Sequence, residues 1–224
     1  MDKDKQRILD FVKSYPEIFD EHEKKYIEYY TGKGRDDLFL PDLIRELYDY
    51  FGIIPEEKNI YLGFIELLQS QFDIRDSHII EVGGGIFPTL ARRIARLQNR
   101  GTITVYDPMI SAYESGNTKL ELVRNNFTPS TDVSNTDLLI GFMPCKGAED
   151  LIESATSHEI DFMVALCEGG LHGEPYDYFE SDQEWIDNMF YRASRGIEDH
   201  QMGELGIQYM KKYANPYPVI YNKR

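Results

Sequence analysis

The chain has 224 residues, of which 42% are hydrophobic and 28% are charged, so it can bury the core of one domain with a modest addition. Its 39 acidic and 24 basic residues give a net charge of −15, which disfavours general binding to nucleic-acid phosphates. Two cysteines are too few for a disulfide framework, and no apolar run approaches the roughly 18 residues of a membrane-spanning helix. Because the charged N-terminal segment lacks an export signal, we expect a cytoplasmic protein without a membrane partner.

The first 76 residues are predicted to form a helical cap. Apolar residues recur at helical spacing in two stretches, 8–15 and 18–30, and a third helix is expected from about 41 to 51, before Gly52. A fourth contains the apolar residues between Ile60 and Phe72. These amphipathic helices need a surface to pack on, which residues 77–224 supply as a second domain.

From residue 78 onward, predicted strands alternate with predicted helices, which favours a parallel sheet covered on both faces. Short apolar runs indicate strands at 78–82, 102–106, 119–123, 138–142 and 162–166. Helices are predicted at 88–97, 148–155 and 183–193. Residues 206–213 and 218–221 are interpreted as a closing β-hairpin, with a helix at 203–213 as the alternative because Lys211 and Lys212 break the strand alternation.

The segment Glu81-Val82-Gly83-Gly84-Gly85 lies where an open α/β sheet binds its ligand, at the carboxyl end of the first strand. Glycines let the main chain turn sharply and approach a ligand closely, and the next helix offers unpaired N–H groups. Asp107 follows the second strand, 22 residues after Gly85. A carboxylate at this place can accept hydrogen bonds from both hydroxyls of a ribose.

These residues resemble the class I S-adenosylmethionine-dependent methyltransferases, whose first motif is an acid, any residue, and then glycine-x-glycine-x-glycine. The resemblance covers roughly residues 78–224 and implies a three-layer α/β, Rossmann-like fold with a mostly parallel seven-stranded sheet that ends in a hairpin, below a variable N-terminal cap. It implies that Glu81 and the glycine loop flank the methionine part of the cofactor, that Asp107 holds the ribose and that Asn126 accepts from the adenine amino group. The residues expected to bind S-adenosylmethionine are Glu81, Gly83, Gly84, Gly85, Asp107, Pro108, Asn126, Phe127, Phe142 and Met143.

The chain departs from the family pattern at two places. Phe87 occupies the third glycine position, where it either packs under the loop or narrows the pocket. Residues 141–145 lack the Asp/Asn-Pro-Pro-aromatic signature of amino-methylating nucleic-acid enzymes, which argues against DNA adenine or cytosine-N4 methylation. A nicotinamide-dependent enzyme is the nearest rival, but its fingerprint requires a glycine where this chain has Pro88.

Candidates for catalysis follow the fourth and fifth strands, where the methyl group of the cofactor would lie. Cys145, Glu168 and His172 are the candidates for a base, a thiol nucleophile or a substrate contact. A metal held by Cys145, Cys167 and His172 is a further option, but buried apolar cysteines are commoner and we predict no metal. We therefore expect an enzyme that methylates a small molecule or a protein side chain, or alternatively a non-catalytic binding or regulatory protein that keeps the fold.

Overall fold

A computed structural model describes residues 3–14, 21–31, 44, 47–48, 50–53, 60–110, 118–167, 181–210 and 217–224. The chain divides into two compact units, Met1–Asn59 with Ser111–Glu114 and Ile60–Ile110 with Ser115–Arg224. The predicted helix at 41–51 lies largely outside the described residues, although 44, 47, 48 and 50 are helical. The domain boundary between 76 and 77 stays a prediction.

The first unit contains helices α1 (Lys3–Ser14) and α2 (Glu21–Tyr30). Helix α1 buries Ile8 and Val12, which are four residues apart and therefore share one face. Its Phe11 ring lies 5.5 Å from the Phe51 ring and meets it edge to face, and the Arg7 guanidinium lies 5.2 Å from the centre of the same ring. These contacts form a small, partly buried aromatic cluster within the first unit.

The second unit contains a seven-stranded sheet in the order β3-β2-β1-β4-β5-β7-β6. The five strands from β1 to β5 are parallel, whereas β7 runs antiparallel to both β5 and β6. The predicted three-layer fold, with a mostly parallel sheet that ends in a hairpin, is thus confirmed. Its elements are α3 (Ile60–Gln71), β1 (His78–Val82), α4 (Thr89–Leu97), β2 (Thr102–Tyr106), β3 (Leu120–Val123), β4 (Leu138–Phe142), α5 (Gly147–Ser157), β5 (Asp161–Ala165), α6 (Asp182–His200), β6 (Glu204–Met210) and β7 (Tyr217–Lys223).

Apolar cores cover both faces of this sheet. Every residue of β4 is buried, as expected for a central strand between two helical layers. Helices α5 and α6 supply Leu151 and Trp185 to the cluster on one face. Helices α3 and α4 supply Phe64 and Ile94 to the cluster on the other. The two layers hold the strands rigidly and so fix the positions of the loops at their carboxyl ends.

The C-terminal region confirms the predicted hairpin and differs from the prediction at the end of α6. The strand pairing from Glu204–Lys223 to Met210–Tyr217 shows that the alternative helix at 203–213 is wrong. Helix α6 continues seven residues beyond Ala193, the predicted end, because Ile197 extends its buried stripe. In the described part of the chain, no helix has both the length and the apolar content to cross a bilayer.

Candidate functional site

The glycine loop connects β1 to α4 beside the carboxyl ends of β2 and β4. Gly83 and Gly85 have φ angles of +79° and +69°, a left-handed conformation that favours glycine. At Gly84 the constraint is space, because a Cβ atom there would lie 2.3 Å from Cγ1 of Val105. The loop remains partly exposed, so its bare main chain is accessible to a ligand.

Asp107 ties this loop to the end of β2. Its Oδ2 atom accepts a hydrogen bond from the Gly85 N–H at 2.9 Å, and its Oδ1 atom accepts from the Met109 N–H at 2.7 Å. A carboxylate offers about four lone-pair directions, so the half-buried group can still accept hydrogen bonds from a ligand. The motif acid and the glycine loop, predicted from separate stretches of sequence, therefore lie side by side.

Glu81 lies below the loop and is only 2% exposed. The Ala91 N–H in the first turn of α4 hydrogen-bonds to its carboxyl group, which supplies the cap that Pro88 at the helix start cannot. Its Oε2 atom is buried without a hydrogen-bond partner. Burial, and to a lesser degree the negative charge of Asp107, raises the pKa of Glu81 from 4.5 to about 8, although the Ala91 hydrogen bond opposes this rise.

Phe87, at the third glycine position of the motif, has a ring that is 1% exposed. Its carbonyl oxygen accepts hydrogen bonds from the Thr89 N–H at 2.6 Å and from the Thr89 hydroxyl at 3.1 Å. The residue thus belongs to the packed start of α4, whereas the glycines before it are partly open.

The adenine end of the predicted site lies beyond β2 and β3. Pro108 and Asn126 are both exposed in the turns that follow these strands. Phe127 is buried, and its ring meets the Tyr106 ring edge to face at 5.7 Å. Asn126 is therefore placed where a ligand could reach it, while Phe127 packs against the neighbouring strand.

The turn after β4 has an unusual main-chain conformation. Met143 and Cys145 have φ angles of 53° and 50°, although neither is a glycine. Pro144 between them presses on the glycine loop, because a Cβ atom on Gly83 would lie 2.7 Å from the Pro144 Cα atom. The Met143 N–H donates to the Ala165 carbonyl at the end of β5, at 2.9 Å. Sequence patterns gave no signal for this strained turn, and such strain often accompanies functional sites.

Among the predicted catalytic candidates, the structure describes only Cys145. Its thiol donates to the Met143 carbonyl at 3.6 Å, across the same turn. Cys167 is buried in the cluster between the sheet and helices α5 and α6, and neither cysteine forms a disulfide. Glu168 and His172 lie outside the described residues. Within the described ranges, no group of three or more His, Cys, Asp or Glu residues is placed to hold a metal ion.

Sequence reasoning missed an aromatic group at the end of β4. The Phe142 ring lies 5.1 Å from Tyr61 of α3 and 6.4 Å from Tyr217 of β7. Both tyrosines are half-buried, whereas Phe142 belongs to the core. Nothing in the local sequence brings these three elements together, since the contact depends on the sheet order.

No model of a protein family and no curated protein matches the sequence. Among solved structures, human N-acetylserotonin methyltransferase in complex with SAM is 16% identical, with a TM-score of 0.49, over 88% of this chain and 62% of that chain. Precorrin-6y C5,15-methyltransferase from Geobacter metallireducens is 15% identical, with a TM-score of 0.48, over 72% of this chain and 88% of that chain. Fibrillarin from Aeropyrum pernix with natively bound S-adenosyl-L-methionine is 11% identical, with a TM-score of 0.46, over 70% of this chain and 72% of that chain. Similarity at this level concerns the fold and does not extend to residue roles.

The strand order itself carries the structural conclusion. Five parallel strands are followed by an antiparallel hairpin whose second strand, β7, inserts between β5 and β6. The glycine loop and Asp107 occupy the carboxyl ends of β1 and β2, the ligand-binding edge of an open α/β sheet. The second unit therefore has a Rossmann-like fold, with a ligand-binding edge at the carboxyl ends of its parallel strands.

Proposed function

We propose that this chain binds S-adenosylmethionine at the glycine loop and transfers its methyl group to a small molecule or a protein side chain. The observation that carries this proposal is the direct hydrogen bond, 2.9 Å long, between the Gly85 N–H and the Asp107 carboxylate. This hydrogen bond holds a carboxylate that could accept from the hydroxyls of a ribose beside a partly open loop of bare main chain. That combination suits a nucleoside joined to an amino acid.

Charge supports the same ligand. S-adenosylmethionine carries a sulfonium and an ammonium group, and the buried Oε2 atom of Glu81 is an acceptor without a partner. Burial close to Asp107 disfavours a negative charge on Glu81, so a nearby cationic ligand would favour the ionised form. Asp107 would hold the ribose, and the exposed Asn126 would accept from the adenine amino group.

The cofactor, when bound, supplies an electrophilic methyl group for in-line displacement by the acceptor. The contribution of the chain would be alignment and exclusion of water. The turn after β4 brings Pro144, which follows Met143, against Gly83 of the glycine loop. Tyr61 and Tyr217 flank the Phe142 ring at the end of the same strand. Glu168 and His172 stay predicted candidates for removing a proton from the acceptor. The net charge of −15 favours a small-molecule or protein acceptor over nucleic acid.

Isothermal titration calorimetry with S-adenosylmethionine tests the binding step. We expect Asp107→Ala to weaken binding at least 100-fold, because it removes both the ribose acceptor and the tie to Gly85. Asp132→Ala is the matched control, since Asp132 is an exposed aspartate in the loop before β4 and should bind as the wild type does. Absence of wild-type binding at millimolar ligand would refute the proposal.

The second candidate function is ligand binding without catalysis. The ground for this alternative is the sequence departure at Phe87, because the resemblance implies a bare main chain at the third glycine position. Transfer of a tritiated methyl group into cell extract distinguishes the two. Labelled product supports the enzyme, whereas tight cofactor binding without labelling supports the binding protein.

A further inference from the structure

The two carboxyl groups at the glycine loop differ in what compensates their negative charge. Asp107 accepts hydrogen bonds from the N–H groups of Gly85 and Met109, at 2.9 and 2.7 Å. Glu81 is 2% exposed and lies one strand away, opposite Val105 in the pairing of β1 with β2. Its Oε2 atom is buried without a hydrogen-bond partner. Glu81 is therefore the carboxyl whose ionised form is incompletely compensated.

Among the described residues, the surroundings of Glu81 supply no positive charge that balances its ionised form. Its partners in β2 and β4, Val105 and Ile140, are buried and apolar, and α4 contributes the Ala91 N–H. The charge that acts on Glu81 is the negative charge of Asp107. Other ionisable groups described on the elements around Glu81 are Tyr61 and Glu66 of α3, Arg92, Arg93 and Arg96 of α4, and Tyr106 of β2. None of these groups shifts the titration of Glu81 appreciably.

An empty site therefore favours the protonated form of Glu81. Ionisation would bury a second negative charge close to Asp107, and two neighbouring carboxylates resist being ionised together when no cation is present. Burial, and then Asp107, raise the pKa of Glu81 to about 8, although the Ala91 N–H opposes this rise. At neutral pH the carboxyl group of the unliganded protein thus holds its proton.

We propose that Glu81 senses the charge of the ligand: its carboxyl is protonated while the glycine loop is empty, and it releases the proton when S-adenosylmethionine binds there. This inference rests on the proposed function. Because Oε2 is buried, the ligand acts on it through the electric field of its positive charge and not as a hydrogen-bond donor.

The same carboxyl distinguishes the cofactor from its product. S-adenosylmethionine has one net positive charge, whereas S-adenosylhomocysteine, which remains after methyl transfer, has a neutral thioether and no net charge. The ionised Glu81 attracts the first and has little net attraction for the second. Once the methyl group has left, the carboxyl takes up a proton from solvent again, which favours release of the product over release of the cofactor.

The expected size of the effect follows from the two charge states. A nearby opposite charge lowers the pKa of a carboxyl by roughly 1–3, which would bring Glu81 from about 8 to roughly 5–7. Binding at pH 7.5 should then release roughly 0.5–0.8 proton per ligand from this residue. By the same linkage, the affinity for S-adenosylmethionine should rise roughly 5- to 50-fold between pH 6 and pH 8.

Calorimetric titration of the full chain in two buffers with different heats of ionisation counts the protons released on binding. Glu81→Gln cannot ionise at this position, so the difference between wild type and variant isolates Glu81 from the titration of the ligand's own amino group. We expect a difference of roughly 0.5 proton or more with S-adenosylmethionine, and less than half of that difference with S-adenosylhomocysteine. Glu198→Gln, an exposed glutamate of α6, is the matched control and should release as many protons as the wild type.

Carbon-13 NMR of the glutamate carboxyl groups gives a second measurement that does not require the variant to bind. The Glu81 signal, assigned by its absence from Glu81→Gln, should move downfield at pH 7 on addition of S-adenosylmethionine and stay in place with S-adenosylhomocysteine. A wild type that binds the cofactor but keeps the Glu81 proton, or releases it equally with both ligands, overturns this inference and leaves the proposed function intact. Absence of wild-type binding at millimolar cofactor refutes both.

Discussion

Two sharp turns meet at the carboxyl edge of the sheet, and they are built in opposite ways. The loop after β1 reaches the left-handed region with glycines, at Gly83 and Gly85. The turn after β4 reaches the same region with Met143 and Cys145, which retain their side chains. A glycine adopts this conformation without steric cost, whereas other residues lose roughly 1–2 kcal/mol each. The first turn thus exposes main chain, and the second keeps side chains in place despite strain.

The difference indicates what each turn is for. A loop of bare main chain suits contact with a ligand that needs N–H groups and close approach. Side chains held in a strained turn suit a site where shape matters, such as the acceptor side of the proposed methyl transfer. Pro144 couples the two, because it packs directly against Gly83.

The largest expected effect is that of Gly83→Ala. The new methyl group would meet Pro144 at 2.7 Å in a left-handed conformation, so we expect the free energy of unfolding to fall by roughly 4 kcal/mol. Gly52→Ala is the matched control, because Gly52 has a φ of +66° but nothing lies within 4 Å of a Cβ atom there. In Gly52→Ala the free energy of unfolding should fall by about 1 kcal/mol, from the backbone strain alone. Urea denaturation measures both, and equal losses would show that Pro144 does not constrain the loop.

The next largest expected effect is the pH dependence of the contribution that Glu81 makes to stability. Folding raises the pKa of this carboxyl from 4.5 to about 8, so the folded state holds the proton more tightly than the unfolded state does. Its contribution to stability is therefore fully present below pH 4.5 and is lost as the pH rises through about 8. Glu81→Gln mimics the protonated carboxyl, and at pH 7 this variant should be more stable than the wild type by roughly 3 kcal/mol.

Denaturation of wild type and Glu81→Gln at pH 5 and pH 7 measures this linkage. The difference in the free energy of unfolding between Glu81→Gln and the wild type should shrink to about 1 kcal/mol or less at pH 5. At that pH most of the cost of burying an ionised Glu81 is absent from the wild type. Glu198→Gln, a change on the exposed surface of α6, should follow the wild type at both values. An advantage that does not change with pH would mean that Glu81 is already ionised in the folded protein.

The sequence predicted those features that arise from local patterns. The strands β1, β4 and β5 are short apolar runs bounded by polar residues, and the glycine loop is visible as Gly83–Gly85. The end of α6 was misplaced because residues 194–200 are mostly polar and contain Gly196. In the structure that glycine lets α6 approach α5, since a Cβ atom there would lie 2.6 Å from the Thr156 hydroxyl.

The contacts within the candidate site could not be predicted from local sequence patterns. The Asp107–Gly85 hydrogen bond joins residues 22 positions apart, and the Tyr61–Phe142–Tyr217 group joins elements separated by most of the domain. The strain at Met143 and Cys145 arises from fitting Pro144 between β4 and the glycine loop. Such constraints come from tertiary packing, which can override local preference.

The smallest expected effect is the stability difference between two variants of Cys145, a comparison that isolates the backbone strain in the turn after β4. Cys145→Ala removes the thiol and its 3.6 Å contact with the Met143 carbonyl, but it keeps the left-handed strain. Cys145→Gly removes both, so we expect the glycine variant to be about 1 kcal/mol more stable than the alanine variant. If the turn holds side chains in place for catalysis, the glycine variant should transfer methyl groups more slowly than the alanine variant despite its greater stability. Equal rates at equal cofactor affinity would mean that the strain serves only the packing of Pro144 against the glycine loop.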